Sequence, residues 1–256
     1  MFRFVLVLCA VAFAAANPSG SRVVNGKDAV HGQFPYQALV YVKTGLGSAL
    51  CGGVVLDKHY VLTAAHCVVA GKSYEVHLGA HKRSDTNEEH RVVYKTTHGK
   101  AHPDYNAKNL NNDLGLLYFE EELKFNKFVQ PAKFFKHHVE DATKVLVSGW
   151  GLTRDHGSPA EVLQYAPLLT VPNQKCADVY SNDVVKETVV CTKEFDNNQS
   201  SCNGDSGGPL VLADTHELVG VVSFGHVGGC EKGYPAGFTR VNHYMDWLEK
   251  ETGKQF

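Results

Sequence analysis

After its N-terminal leader, the 256-residue chain has no run of about 18 or more apolar residues, so no helix in it is long enough to span a bilayer. It has no Cys-x-x-Cys pair, which leaves a redox dithiol or a zinc ribbon without its ligands. Basic charge is not in excess: 25 Lys and Arg face 27 Asp and Glu, and the leader removes Arg3 and Arg22 but no acid. A nucleic-acid partner is therefore not expected. No repeat, low-complexity tract or linker divides the chain, and residues 23–256 are enough for one all-β unit or two small barrels.

What is present begins with a secretory leader. Residues 1–16 carry Arg3, an apolar stretch from Phe4 to Phe13, and Ala14-Ala15-Ala16 as a cleavage site, so a secreted, extracellular protein is expected. Cys9 is lost with this signal peptide. Six cysteines remain, Cys51, Cys67, Cys176, Cys191, Cys202 and Cys230; an even number in a secreted chain implies disulfides, with about 15 pairings open. Residues 17–22 form a short polar segment ending at Arg22, and a cut there would free the amine of Val23.

The most informative stretch is Ser200 to Pro209, in which Ser206 lies between glycines and beside Asp205. Glycines on both sides let the backbone turn its amides toward one point, the geometry that stabilises an oxyanion. Gly-x-Ser-x-Gly also marks a strand-to-helix nucleophile elbow. Gly207-Gly208-Pro209 is a poor helix start, however, and Leu210–Ala213 and Leu218–Phe224 read as strands around a polar turn, so the elbow is excluded.

Earlier in the chain, short β-like runs such as Ala38–Val42 and Cys51–Leu56 lead to Tyr60-Val61-Leu62-Thr63-Ala64-Ala65-His66-Cys67, where His66 is expected at the end of an apolar strand. Asp113 stands just before the apolar run Leu114–Phe119. Taken singly, His66 suits a core histidine and Asp113 a turn aspartate. Together, Thr63–Cys67, Asn111–Leu117 and Gly204–Pro209 occur in the order His, Asp, Ser, unlike the subtilisin and α/β-hydrolase orders. The chain resembles the chymotrypsin-like (trypsin-fold) serine endopeptidases over essentially all of Val23–Phe256.

That resemblance implies an all-β fold of two antiparallel six-stranded β-barrels, barrel 1 over about 23–135 and barrel 2 over about 136–240. A C-terminal helix over about 241–252 follows, with Val241, Tyr244, Met245 and Leu248 at helical spacing and Asn242 as its cap. By the same resemblance Ser206 is the nucleophile, His66 the general base and then acid, and Asp113 the carboxylate that orients the imidazole. The amides of Gly204 and Ser206 form the oxyanion hole. Cleavage after Arg22 makes a zymogen active by pairing the Val23 ammonium with Asp205. The implied disulfides are Cys51–Cys67, Cys176–Cys191 and Cys202–Cys230, and the propeptide is left untethered.

Specificity is also carried over from the family. Ser200, six residues before the nucleophile, falls at the floor of the S1 pocket, where a trypsin-like enzyme carries Asp; a neutral floor disfavours a basic P1 side chain. Gly225 leaves one wall open, Ser223-Phe224-Gly225 is placed to pair with substrate backbone, and Ala236 stands where the family often has Gly. Large apolar P1 residues are expected, with an elastase-like preference for small ones as the alternative. The expected partners are protein or peptide substrates, a trypsin-like activating protease and protein protease inhibitors, acting on a monomer in a digestive role without a cofactor. A regulatory protease with few substrates and a non-catalytic binding homologue are the rivals.

Three other signals are discounted. His77 with His81, and His98 with His102, have i, i+4 spacing but lie among strand-like and loop-like neighbours, so surface histidines are expected. Leu78-Gly79-Ala80-His81 lacks the acidic ligand of calcium-binding trypsins, although Asp85, Glu88 and Glu89 are near; no metal is expected. Asn198-Gln199-Ser200 fits a glycosylation acceptor but is too close to the pocket to carry a glycan.

Overall fold

The computed structural model describes residues 26–196 and 199–256. Its strands are β1 Lys27–Asp28, β2 Gln37–Lys43, β3 Ser48–Val55, β4 Tyr60–Thr63, β5 Ser73–Leu78, β6 Val92–Thr96, β7 Gly99–Ala101 and β8 Gly115–Tyr118, then β9 Lys144–Gly149, β10 Gln164–Val171, β11 Val189–Glu194, β12 Pro209–Leu212, β13 Leu218–Phe224 and β14 Ala236–Arg240. Three short helices accompany them: α1 Ala65–Ala70, α2 Asn173–Tyr180 and α3 Met245–Thr252.

The strands form two antiparallel sheets, each closed into a six-stranded barrel. In the first, the order is β6-β5-β2-β3-β4-β8-β7. β6 and β7 are consecutive in the chain yet lie at opposite ends of this order. They are halves of one bent strand, broken at Thr97-His98, whose two parts pair with β5 and β8 and so close the ring. In the second, β9–β14 form the ring, closed by pairing of β10 with β9, and β1 is added on β10. Closure leaves few free edges.

β10 shows how local sequence writes the barrel. Its eight residues alternate strictly between buried and half-exposed, with Gln164, Ala166, Leu168 and Thr170 inward. Pro167 cannot donate to a ladder. It falls between the stretch paired with β1, Gln164–Tyr165, and the stretch paired with β11, Leu168–Val171, where that side of β10 asks for no N–H. The first core gathers Val40, Val54, Leu62, Leu78 and Leu116; the second gathers Val145, Leu168, Val190, Leu210 and Phe238. Burying each such side chain contributes about 1.5 to 3 kcal/mol.

The C-terminal element begins as a 3₁₀ turn, Val241–Tyr244, before α3. Val241, Tyr244 and Leu248 are buried, in keeping with their spacing. Asn242 is not a cap: its Nδ2 donates instead to His137 O at 3.0 Å, pinning the crossing segment between the barrels. Gly253, in the left-handed region at φ 70°, ends the helix. Among the described residues no helix is long and apolar enough to cross a membrane.

Candidate active site

β4 stops at Thr63, and His66 is the second residue of α1 rather than the end of the strand. The break is local: after the β-branched run to Thr63, Ala64 and Ala65 favour a helical turn. Cys67 in the same turn is bonded to Cys51 of β3, which anchors the short helix to the barrel. Opposite it, Asp113 precedes β8 and is wholly buried. Its carboxylate accepts three hydrogen bonds, from His66 N at 2.9 Å, from His66 Nδ1 at 2.8 Å and from Ser223 Oγ at 2.6 Å. Those donors compensate a charge that would be costly to bury alone. Thr239 Oγ1 donates to Asp113 O at 2.8 Å, and Tyr244 Oη to Asn112 Oδ1 at 2.9 Å, so β14 and the C-terminal turn hold the loop. The His66 side chain is 28% exposed, which leaves its other ring edge free to work.

The Ser206 loop comes from the second barrel, and Ser206 O lies 3.7 Å from Sγ of Cys67, the residue after His66. Gly52 N donates to Ser206 O at 2.8 Å, and Gly207 N to Val222 O at 2.9 Å, so the loop is pinned between β3 and β13. The approach is close because Gly52 lacks a side chain: a Cβ there would lie 2.8 Å from Gly208 Cα. Gly204 sits at φ +99°, outside the range of ordinary side chains. The intervening Asp205 amide is committed to Cys202 O at 3.0 Å, whereas among the described residues neither the Gly204 nor the Ser206 amide donates a hydrogen bond. Two free amides flanking a committed one is the arrangement of an anion-binding nest.

Asp205 is completely buried, with Oδ1 accepting Gly151 N at 2.7 Å and Oδ2 accepting Cys202 N at 2.9 Å. No cationic group meets it among the described residues. Burial pushes its carboxyl up to about 6, with the two amides pulling the other way. The space it fills exists because Gly149 and Gly151 carry no Cβ: one at Gly149 would lie 2.1 Å from Oδ1, and one at Gly151 2.6 Å from the carboxylate. Both glycines therefore belong to the site.

A cavity of about 460 Å³ opens beside Ser206 and is lined by Ser201, Asn203, Ser223, Phe224 and Gly225, among others. A Cβ at Gly225 would meet nothing within 4 Å, so that wall is open. The Phe224 ring lies against the bare Gly237 and meets the Tyr180 ring edge-on, with centroids 5.0 Å apart. Ser200 and Ala236 stand back from this lining. Ser200 is half-buried, with Oγ donating to Ser201 O at 3.0 Å, and Ala236 is packed into the apolar core of the second barrel. Arg22, Val23 and Asn198 lie outside the described residues. All three expected disulfides form: Cys51–Cys67, Cys176–Cys191 and Cys202–Cys230.

The segment from Lys82 to Arg91 is organised around a side chain. Arg91, with its side chain 1% exposed, donates to the carbonyls of Lys82 and Asp85 at 2.8 Å and of Arg83 at 3.2 Å, and lies 3.5 Å from the Glu88 carboxylate. Glu88 in turn accepts the amides of His81 and Lys82. His77 corrects the expectation of a surface histidine: it is buried, accepts from Arg91 at Nδ1 and is bonded through Nε2 to Glu75 at 2.9 Å. Burial first, and the Arg91 guanidinium second, hold His77 below the ordinary imidazole range. A guanidinium thus sits where carbonyls and a carboxylate converge, and a neutral imidazole backs it.

A buried carboxylate holding an imidazole, a serine on a glycine-bordered loop and two closed barrels define a hydrolase of the serine endopeptidase class. Residues 23–248 match the family described as Trypsin, and the chain belongs to that family. It is 36% identical over 238 residues to the collagenase of Hypoderma lineatum, covering 91% of this chain and 88% of that one. It is 35% identical over 235 residues to the chymotrypsin of Phaedon cochleariae, covering 89% of this chain and 81% of that one. The solved HL collagenase structure superposes with a TM-score of 0.82 at 33% identity, covering 91% of this chain and all of that one.

Proposed function

We propose that the chain is made as a secreted zymogen and, once cut after Arg22, hydrolyses peptide bonds through an acyl-enzyme. The observation that carries this reading is the His66–Asp113 pair, sealed on the carboxylate side and open on the imidazole side beside the Ser206 loop. Ser206 Oγ attacks the scissile carbonyl carbon while His66 Nε2 takes its proton. The amides of Gly204 and Ser206 receive the oxyanion, each such donor being worth roughly 3 to 4 kcal/mol in the transition state. His66 then returns the proton to the departing amine, the C–N bond breaks, and water hydrolyses the ester by the same steps reversed. Asp113 keeps the imidazole in the tautomer with its proton on Nδ1 and compensates the imidazolium.

Large apolar P1 side chains, Phe, Tyr, Leu or Met, suit a cavity with Gly225 as an open wall; Ser200 as a neutral floor and Ala236 as the source of the elastase-like alternative are carried over from the family, since neither lines the cavity here. An enzyme with that preference cannot efficiently cut after its own Arg22, so a trypsin-like protease is its activator. Broad digestion of protein, as a monomer restrained by protein inhibitors, fits a short propeptide. Val23 is assigned as the cation for Asp205, and the backbone of Ser223-Phe224-Gly225 as the edge that takes the substrate strand. The test is kcat/KM of trypsin-activated protein on matched peptides with P1 Phe, Leu, Ala and Arg, with Ser206→Ala as control. Phe or Leu ahead supports the reading; Ala ahead selects the alternative; Arg ahead rejects both. Turnover no higher than the control makes the chain a binding homologue.

A further inference from the structure

The cavity beside Ser206 has a second charged element that the triad does not use. Asp155, from the loop after β9, lines it, and no Lys or Arg is among the lining residues. Its Oδ1 accepts Cys230 N at 2.6 Å, and its own amide donates to Glu231 Oε2 at 2.7 Å, so the carboxylate is fixed against the Cys202–Cys230 disulfide. One of its oxygens lies within 4.8 Å of both sulfurs. Both sulfurs are committed to each other, so this trio has no thiolate to offer a metal. Oδ2 has no partner among the described residues. Gly229, at φ +119°, keeps it uncovered, since a Cβ there would stand 2.2 Å from Oδ2.

A half-buried carboxylate with one oxygen tied and the other open, on the wall of a cavity whose lining includes His156 and His226 but no Lys or Arg, is built to take a cation from outside. We propose that Asp155 is a specificity-determining residue that accepts a basic side chain of the bound peptide, a Lys ammonium or Arg guanidinium close to the scissile bond. The proposal rests on the endopeptidase reading above. It separates two selections within one cavity: apolar bulk against the Gly225 wall, and positive charge at the Cys230 wall.

The experiment uses activated, active-site-titrated enzyme and peptides with P1 Leu, carrying Lys or Gln in turn at P3, P1′ and P2′, together with a P1 Lys peptide. The wild type should favour Lys over its neutral counterpart by roughly fivefold or more at one position at least. In Asp155→Asn that ratio should fall toward one, because the amide oxygen still accepts Cys230 N while the charge is gone. Raising NaCl from about 50 mM to about 500 mM should lower the ratio in the wild type. Should Asp155→Asn fail to fold, this salt arm decides alone. A ratio near one at every position, a ratio unchanged in Asp155→Asn, or one insensitive to salt overturns the proposal. Absence of any turnover above Ser206→Ala would overturn the endopeptidase reading instead.

Discussion

At the scale of single residues, the support around Asp113 is as informative as the triad. Ser223 Oγ gives this carboxylate its third donor, at 2.6 Å, and a hydrogen bond to an ionised group is worth about 1.5 to 3 kcal/mol. Ser223→Ala should lower kcat/KM roughly 10- to 100-fold, mostly in kcat. A carboxylate with one donor fewer turns more of its charge on His66, so the acid limb of the pH profile should move to higher pH. A Ser223→Ala enzyme with an unshifted profile would show the bond to be only structural. Gly149→Ala makes a second prediction: its Cβ would stand 2.1 Å from Asp205 Oδ1, so the protein should be recovered folded but fail to gain activity on cleavage after Arg22. His66, Asp113 and Ser206 could be read from the sequence only together, from the order of their three patterns and the family those patterns resemble. The bond from Ser223 to Asp113 and the places of Gly149 and Gly151 could not, because their reasons lie across space, 110 positions away for Ser223 and 54 for the Gly151 amide.

At the scale of elements, the strands were legible from alternation and turn residues, and β10 carries that alternation without a fault. The closure of each barrel was not, since the bend at Thr97-His98 that sends β6 to one neighbour and β7 to another has no local signature. The short helix that carries His66 escaped for the same reason: six residues are too few to show a helical period. The loop from Lys82 to Arg91 is the clearest case. The missing acidic ligand argued against an ion there, but nothing in the sequence showed that a buried guanidinium donates to three of the loop's carbonyls. Arg91→Ala should cost about 3 to 5 kcal/mol, because it leaves those carbonyls and Glu88 unpaired. In a chain of this size that lowers Tm by roughly 10 °C. Calcium at about 5 mM should leave the wild-type Tm within about 1 °C, the site centre being filled already. A calcium-dependent rise in calorimetry would contradict this account of the loop.

At the scale of the whole molecule, the proposed pairing of the Val23 amine with Asp205 would couple the N-terminal cut to the oxyanion loop, and pH tests it. Burial raises its carboxyl from 3.8 to about 6 while no cation faces it among the described residues. A raised carboxyl means that the folded protein binds this proton more tightly than the unfolded chain does. The contribution to stability is therefore full below about pH 4 and is lost as pH rises toward 6, by about 3 kcal/mol in all. On the activation proposed above, cleavage after Arg22 would supply the Val23 ammonium, which favours the ionised carboxylate and so reverses the sign of that dependence. The comparison is urea unfolding of the Ser206→Ala protein, uncut and trypsin-cut, at steps from pH 4 to pH 7.5, with Ser206→Ala preventing self-digestion. Other carboxylates titrate in both forms and cancel in the difference. The cut form should gain stability relative to the uncut form as pH rises through 6, and Asp205→Asn should remove most of that gain. Parallel curves for the cut and uncut proteins would mean that Asp205 is not where the new amine lands, and activation would need another route to the oxyanion loop.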